Sequence, residues 1–197
     1  MTRLAPLALE DLPQFAPFFE LIERTMGFVP NSLPTMARKA GLLEGFAALA
    51  QAALPAEPEA VPRPLLQMCA VVASAAAGCR YCQAHTASTA ARLGVAEAKV
   101  ADLWLYETSA RFDEAERAAL RFAQAAAETP GRADDAMRAE VIAHHGETGL
   151  VEIMAVVALF GWLNRWNDAM ATALEPEPRA FAEAHLARHG WAAGKHG

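Results

Sequence analysis

Helical periodicity is the feature of this chain that most restricts its fold. Apolar residues recur three and four positions apart in nearly every segment, and runs of β-branched residues are scarce. Alanine and leucine, which favour helices, are abundant, while proline and glycine interrupt the pattern at VPNSLP, LPAEPEAVPRP, TPGR and LEPEP. Asp113 followed by Glu116 is typical of a helix N-terminus. The sequence therefore predicts an all-α protein. Its helices are expected at about 9–26, 33–54, 63–77, 80–93, 96–110, 113–128, 133–145, 148–173 and 177–189.

The length and composition indicate a single domain over residues 1–197. A chain of 197 residues is long enough for one well-packed core, and 54% hydrophobic against 20% charged residues is unlike a disordered protein. The formal net charge of −6 comes without the lysine and arginine clusters that bind nucleic acids or anionic membranes. We therefore expect no nucleic acid and no membrane as a partner.

The expected location is the cytoplasm. Glu10 and Asp11 interrupt the apolar N-terminal segment, which is unlike the continuous apolar core of a signal peptide. The most apolar run, IMAVVALFGWL, is shorter than the ~20 residues that cross a bilayer. Three cysteines are an odd count for a disulfide framework, and in a reducing compartment a close cysteine pair is more often catalytic or metal-binding than structural.

Two stretches of the chain resemble each other and predict an internal duplication. Residues 65–84, LLQMCAVVASAAAGCRYCQA, align with residues 150–169, LVEIMAVVALFGWLNRWNDA, and both contain the tetrapeptide AVVA. The duplication predicts a CxxC-bearing half at about 33–110 and a similar, cysteine-free half at about 113–175. The alignment pairs residues of different chemistry: Cys79 with Asn164, Cys82 with Asn167, and Gln67 with Glu152. Sulfur is therefore confined to one copy.

The stretch GCRYCQAHTA carries the chemistry that the sequence predicts. Cys79, Cys82 and His85 are spaced three apart, so they lie along one side of a helix. Gly78 indicates a break before Cys79, which places both cysteines in the first turns of that helix. There the unpaired N–H groups, the helix dipole and a nearby imidazole favour a thiolate. A CxxC pair also closes a disulfide with little rearrangement, so the motif predicts an activated nucleophile with a resolving partner.

Other roles for the cysteine pair were weighed against this one. The pair could be two small buried thiols, although the flanking Gln83 and His85 are polar for a core face. A structural zinc site needs four ligands, and beyond the pair the sequence offers only His85 or the distant His144 and His145, so no metal is expected. Covalent haem would require a histidine directly after Cys82, where Gln83 stands.

The remaining candidate residues are expected to be structural. Cys69 stands among apolar residues in the middle of a helix and is assigned to the core. His144 and His145 precede Gly146, as at a helix C-terminus, where histidine suits the dipole. The aromatic and histidine residues of the C-terminal part are assigned to an apolar helix face (Trp162, Trp166) and to surface or subunit contacts (His185, His189, His196).

Residues 63–95, RPLLQMCAVVASAAAGCRYCQAHTASTAARLGV, resemble the active-site region of the carboxymuconolactone decarboxylase/alkylhydroperoxidase D-like (AhpD-like) family. The shared features are a helix ending in glycine, then Cys-x-Tyr-Cys, then histidine, then a helix that closes on Leu-Gly-Val. The segments FGWLNRWNDAMATALE and GWAAGKH also resemble longer members of the family. The resemblance implies an AhpD-like helical bundle, a homo-oligomer, and a peroxiredoxin-type antioxidant enzyme that reduces hydroperoxides.

The resemblance also implies roles for the motif residues. Cys82 matches the peroxide-attacking cysteine and Cys79 matches the resolving cysteine. Attack leaves a sulfenic acid on Cys82, Cys79 condenses with it into a disulfide, and an external thiol or dithiol donor restores both thiols. No cofactor beyond the cysteine pair is implied. His85 matches the family's histidine, which moves the proton off the attacking thiol.

Two positions depart from the family pattern. The family's histidine usually stands four residues after the second cysteine, where this chain has Thr86, so His85 is one residue early on the same side of the helix. Where the family commonly carries a glutamate at the far end of a proton relay, this chain has Gln67, an amide that takes up no proton near pH 7. Glu152, its counterpart in the second half, is the expected replacement, brought to the site by a pseudo-twofold arrangement of the halves.

A DNA-binding module is the main alternative outside the family. Residues 89–103, TAARLGVAEAKVADL, have the turn and apolar spacing of a helix-turn-helix. The corresponding recognition helix carries Glu97, Asp102 and Glu107 against Lys99 alone, so it would repel phosphate.

Two alternatives stay open within the family. Some members lack the cysteines and decarboxylate a lactone by acid–base chemistry, and the complete CxxC of this chain argues against that activity. A catalytically inactive structural homologue is the second alternative, which Gln67 makes worth testing.

Overall fold

The all-α prediction is confirmed by the structure, a computed structural model that describes residues 4–39 and 41–197. These residues form α-helices and short 3₁₀ helices and contain no strand. The α-helices are α1 Ala16–Met26, α2 Ser32–Met36, α3 Leu42–Ala53, α4 Arg63–Ala76, α5 Arg80–Arg92, α6 Glu97–Ala101, α7 Glu114–Ala127, α8 Asp135–Met170 and α9 Pro176–His185. The 3₁₀ helices are Leu9–Asp11, Pro13–Phe15, Leu103–Leu105, Ala187–His189 and Gly194–His196.

Helix boundaries follow the local signals in most places. The Asp113 side chain accepts a hydrogen bond from the N–H of Glu116, and the Glu116 carboxylate accepts one from the N–H of Asp113, so the predicted start of α7 is a capping box. Within α8 the helix is broken at Gly146, which has φ 71° and ψ 177°. This break agrees with the helix end predicted near residue 145.

Three predicted helices are wrong in extent. The α-helix predicted over 9–26 begins at Ala16, after two 3₁₀ helices. The other two are replaced by shorter helices. The predicted helix over 33–54 is divided into α2 and α3, and α3 begins after Gly41, whose φ of 75° lies in the left-handed region. The predicted helix over 96–110 is replaced by α6 and one 3₁₀ turn. In both places short helices pack by tertiary contacts that local propensity does not specify.

Two central helices, α4 and α5, position the predicted site. Every residue from Leu65 to Ser74 in α4 is buried, and α4 packs against α5, α7 and α8. Every residue from Tyr81 to Ala90 in α5 is also buried, although this stretch includes polar side chains. Buried polar residues of this kind are unusual in a core unless they are paired or functional. The polar members of the stretch are Gln83, His85, Thr86, Ser88 and Thr89.

The long helix α8 supplies the other wall of the core. By length and composition it could cross a membrane. Its inner face nevertheless packs into the main hydrophobic cluster through Ile153, Val156 and Phe160, as the core helix of a soluble protein does. Its outer face leaves Val151 67% and Met154 40% exposed.

The two stretches aligned as a repeat differ in structure. Residues 65–84 form the end of α4, a turn and the start of α5, whereas residues 150–169 form one uninterrupted part of α8. The alignment of the two cysteines with two asparagines is therefore not a structural equivalence, because the second stretch has no turn. The duplication stays a prediction for the remaining parts of the two halves.

Candidate active site

The turn between α4 and α5 places the two cysteines. Gly78 has a φ of 74°, which a residue with a side chain adopts only at a cost, and the N–H of Cys79 donates to the carbonyl of Ser74. This Schellman-type ending of α4 makes Cys79 the N-cap of α5, where its sulfur accepts a hydrogen bond from the N–H of Cys82 at 3.4 Å. The predicted chain break before Cys79 is confirmed.

Both sulfurs are buried and reduced. Cys79 is 0% and Cys82 2% exposed, and neither forms a disulfide. A second contact reaches Cys82 from α8, because Asn167 Nδ2 donates to Cys82 Sγ at 3.4 Å. The sulfur of Cys82 therefore lies between the first turn of α5 and the inner face of α8.

The two thiols differ in acidity. The hydrogen bond from the Cys82 side chain, together with the helix N–H groups, holds the pKa of Cys79 below its ordinary value, although burial opposes this. Burial, followed by the hydrogen bond to Cys79, raises the pKa of Cys82 well above its ordinary value. In the resting pair, Cys79 is the sulfur that the fold prepares to carry negative charge.

His85 lies one turn along α5 in an aromatic and acidic enclosure. Its Nε2 is 2.6 Å from Glu175 Oε2, and its ring stacks on Tyr81 with centroids 4.1 Å apart. Phe28 packs edge-on against the same ring at 5.3 Å. The imidazole is thus held in one orientation, with a carboxylate in contact with its Nε2.

Glu175 is the site residue that the sequence analysis missed. It precedes Pro176 at the start of α9, and its side chain caps no N–H of that helix but extends to α5. Its Oε1 accepts hydrogen bonds from the N–H of Asn31 at 2.6 Å and from the Tyr81 hydroxyl at 2.9 Å. Burial favours a higher pKa for this carboxyl, but the hydrogen bond and charge of His85 and the Asn31 N–H outweigh it and hold the pKa below its ordinary value.

The polar residues next to His85 have structural contacts. Gln67 Nε2 donates to the carbonyl of Thr86 at 3.3 Å, which joins α4 to α5. Thr86 Oγ1 donates to the carbonyl of Cys82 at 2.7 Å, within its own helix. Gln67 therefore lies beside the site and binds the backbone of α5, as an amide that takes up no proton can.

Glu152 does not approach the site, so its expected part in a proton relay is wrong. Its carboxylate accepts hydrogen bonds from the N–H groups of Glu59 at 2.6 Å, Ala60 at 3.2 Å and Val61 at 2.7 Å, and thus anchors the loop before α4. Asn167, which contacts Cys82, lies fifteen residues further along the same uninterrupted stretch of α8, a distance of about 22 Å at the rise of an α-helix. The carboxylate that contacts His85 is that of Glu175.

The C-terminal segment braces the site. His196 Nδ1 lies 2.9 Å from the carbonyl of Thr172, and the N–H of Leu174 donates to the carbonyl of His196 at 2.9 Å, which fixes the backbone leading to Glu175. Trp191 Nε1 donates to the carbonyl of Arg80 at 3.0 Å. The assignment of His196 to a surface or subunit contact is wrong, since it is 1% exposed.

Other candidates lie away from this chemistry. Cys69 is 0% exposed in α4, and burial raises the pKa of its thiol far above the ordinary value, as expected for a core residue. Within residues 4–39 and 41–197, no three histidine, cysteine or acidic side chains lie close enough together to hold a metal ion. A groove of about 700 Å³ between α7 and α8 is lined by apolar residues such as Trp162 and Trp166, and neither sulfur of the pair lines it.

The chain is similar in sequence and fold to known proteins. The sequence model of the carboxymuconolactone decarboxylase family matches residues 40–125. The apo structure of the debrominase Bmp8 is 36% identical with a TM-score of 0.86, over 93% of this chain and 97% of that chain. A cysteine-to-alanine variant of Bmp8 in complex with 2,3,4-tribromopyrrole is 35% identical with a TM-score of 0.87, over the same shares of the two chains.

Two further similarities have a lower identity or a lower coverage. A peroxidase-related protein from Ralstonia eutropha JMP134 with an alkylhydroperoxidase AhpD core is 21% identical, with a TM-score of 0.79 over 91% of this chain and 94% of that chain. The uncharacterized protein YnjA of Escherichia coli K12 is 33% identical over 92 residues, which are 47% of this chain and 50% of YnjA. The chain thus spans about half the length of that curated relative. With its AhpD-like helical fold, the chain belongs to the carboxymuconolactone decarboxylase family.

Proposed function

We propose that the protein is a thiol-dependent oxidoreductase that reduces hydroperoxides through the Cys79–Cys82 dithiol. The observation that carries the proposal is the arrangement on α5, where two reduced, buried sulfurs at the N-terminus are followed one turn later by an imidazole–carboxylate pair. The sulfurs supply two electrons and the imidazole supplies a proton, which together are what reduction of an O–O bond requires.

The reaction follows from these groups in two steps. One proton of the dithiol first passes to His85, which leaves the charge on Cys82 Sγ. Cys82 Sγ attacks the terminal oxygen of the hydroperoxide, the O–O bond breaks, and the leaving alkoxide takes this proton back from His85. Cys82 is then a sulfenic acid. Cys79 Sγ attacks Cys82 Sγ, and the departing hydroxyl group leaves as water with the Cys79 proton. The products are an alcohol, water and a Cys79–Cys82 disulfide, which an external dithiol reduces by exchange.

Glu175 keeps His85 oriented for this proton transfer. A buried ion pair contributes little net stability, because removing both charges from water offsets most of their attraction. Glu175 is only 8% exposed, and its carboxylate is held in place by the hydrogen bonds that it accepts from the Asn31 N–H and the Tyr81 hydroxyl. The His85–Glu175 pair lies one turn after the two cysteines, where a proton donor to the leaving group is needed.

The remaining expectations belong to the same proposal. The electron donor is a thiol or dithiol, and the cysteine pair replaces any cofactor or metal. The protein acts in the cytoplasm as a homo-oligomer, without nucleic acid or membrane partners. A reducing compartment is required because the dithiol must be regenerated after each turnover.

Reductive debromination is a second candidate, favoured by the similarity to Bmp8 over nearly the whole chain. The same dithiol chemistry balances for this reaction. A carbon–bromine bond is replaced by a carbon–hydrogen bond, bromide is released, and the two electrons again come from formation of the Cys79–Cys82 disulfide. His85 would then deliver its proton to carbon instead of oxygen.

One experiment separates these functions. Reduced protein is mixed with dithiothreitol and either cumene hydroperoxide or 2,3,4-tribromopyrrole, and alcohol, bromide and dithiothreitol oxidation are measured. We expect hydroperoxide-dependent thiol oxidation that Cys82→Ser abolishes and that the matched core variant Cys69→Ala retains. Bromide release without peroxide turnover would select the second candidate. If neither substrate were turned over, the proposal would be wrong, and a cysteine-independent decarboxylase or an inactive homologue would take its place.

A further inference from the structure

A buried amide from α8 contacts one sulfur of the pair. Asn167 is 1% exposed, and its Nδ2 donates to Cys82 Sγ at 3.4 Å, across 85 positions of sequence. Apolar side chains fill most of the inner face of α8, including Ile153, Val156 and Phe160. An amide in such a position costs desolvation free energy that a leucine would not, so its contact with sulfur needs a functional explanation.

The other groups around the pair disfavour negative charge on Cys82. Burial, the Cys79 sulfur and the Asp168 carboxylate on α8 all raise the pKa of Cys82. From α5 itself, the neighbouring Tyr81 hydroxyl is neutral, because burial and Glu175 raise its pKa well above the ordinary value. The first turn of α5 stabilises charge on Cys79 instead. The Asn167 amide acts in the opposite direction and lowers the pKa of Cys82.

The geometry points to Asn167 as the positioning residue that selects Cys82 as the attacking sulfur. The reduced pair carries one proton between two sulfurs once the first thiolate has formed. The amide N–H stabilises the arrangement in which this proton has moved from Cys82 Sγ to Cys79 Sγ, so that Cys82 carries the charge. The inference rests on the proposed function for the division of roles between the two cysteines.

Competitive alkylation tests the inference without any substrate. The reduced full-length protein is treated with a limiting amount of iodoacetamide from about pH 5 to about pH 9, a range that brackets thiolate formation, and peptide mapping gives the label on each cysteine. In Asn167→Leu we expect the label on Cys82 relative to Cys79 to fall about tenfold, with the pH profile of Cys82 labelling moved to higher pH. Asn167→Asp, nearly identical in shape, replaces the donor with a carboxylate oxygen and should lower the ratio further.

Asn164 provides a matched control one turn earlier on the same helix. It is 3% exposed, and its amide makes no hydrogen bond within the described part of the chain. Asn164→Leu should leave both the labelling ratio and the pH profile unchanged. An unchanged ratio in both Asn167 variants, or an equal change in Asn164→Leu, would overturn the inference. If Asn167→Leu does not fold, the near-isosteric Asn167→Asp decides the outcome.

The test also separates this inference from the proposed function. Alkylation requires no hydroperoxide and no bromopyrrole, so the ratio depends on the charge distribution of the pair alone. A protein that shows the expected Asn167 effect but consumes no hydroperoxide would contradict the proposed substrate class and leave the role of Asn167 intact. A protein that consumes hydroperoxide with an unaltered ratio in the Asn167 variants would do the reverse.

Discussion

The first turn of α5 and the turn that follows it are built in different ways. Residues next to the cysteines in sequence determine where they lie. Gly78 ends α4, and Cys79 caps α5 by accepting a hydrogen bond from the N–H of Cys82 on its sulfur. His85 stands three residues later but is oriented by distant residues, with Glu175 lying 90 positions away. The comparison teaches that neighbouring residues can set the position of a cysteine pair, while the partner of the nearby imidazole is set by the tertiary fold.

Removing the imidazole tests the part of this comparison that concerns His85. His85→Ala should lower the kcat/KM for hydroperoxide by about 10²-fold, the usual contribution of a positioned proton donor. Thr86→Ala is the matched control, since Thr86 occupies the family's usual histidine position but donates to the Cys82 carbonyl. It should retain nearly full activity in the same peroxide assay. Equal losses in the two variants would show that the imidazole has no catalytic part.

Glu175→Gln sharpens the same comparison by keeping the shape of the side chain and removing its charge. We expect an activity loss of about tenfold, smaller than for His85→Ala, because the imidazole remains but loses the carboxylate that orients it. Glu177→Gln, two residues later and paired with Arg92 at the surface, should leave activity unchanged. Matching activities of Glu175→Gln and the wild type would contradict the assignment of Glu175 to the site.

Glu152 tests whether the other proposed carboxylate belongs to the site or to the scaffold. Glu152→Gln should lower the free energy of unfolding by about 1 kcal/mol, because the neutral amide is a weaker acceptor for the loop N–H groups of Glu59 and Val61. Urea unfolding measures this change, and kcat/KM should stay at the wild-type value. A selective loss of activity without a loss of stability would restore Glu152 to the relay.

Acid pH gives the smallest expected effect. Because the pKa of Glu175 is lower in the folded protein than its ordinary 4.5, its ionised form stabilises the fold above about pH 4.5, and this contribution is lost as pH falls through the lowered pKa. Unfolding free energies measured at neutral and acid pH should therefore fall more in the wild type than in Glu175→Gln. An identical fall in both proteins would mean that the Glu175 carboxyl titrates as in the unfolded chain.

Much of the fold and the local part of the site could be predicted from the sequence. The helices, the capping box at Asp113, the break at Gly146 and the turn before Cys79 all depend on neighbouring residues, so their signals lie within a few positions. The division of residues 33–54 into two helices was not predicted, because short helices depend on tertiary packing.

The long-range part of the site could not be predicted. Glu175 stands in a proline-rich segment that signals only a helix start, and nothing local shows that its side chain reaches His85. The contact of Asn167 with Cys82 depends on how α8 crosses α5. The relative acidity of the two thiols depends on burial, which raises the pKa of Cys82. The degree of burial cannot be read from the spacing of the cysteines in the sequence.

The most direct test of the account is whether substrate reduction joins the two sulfurs of α5. Reduced protein is treated with one equivalent of hydroperoxide, alkylated and digested without reductant, and the peptides are identified by mass spectrometry. The account predicts a Cys79–Cys82 disulfide in wild type and Cys69→Ala, with Cys69 still free in the wild type, and a sulfenic acid on Cys82 in Cys79→Ser. Two unmodified thiols after treatment, or oxidation of each cysteine regardless of the other, would contradict it.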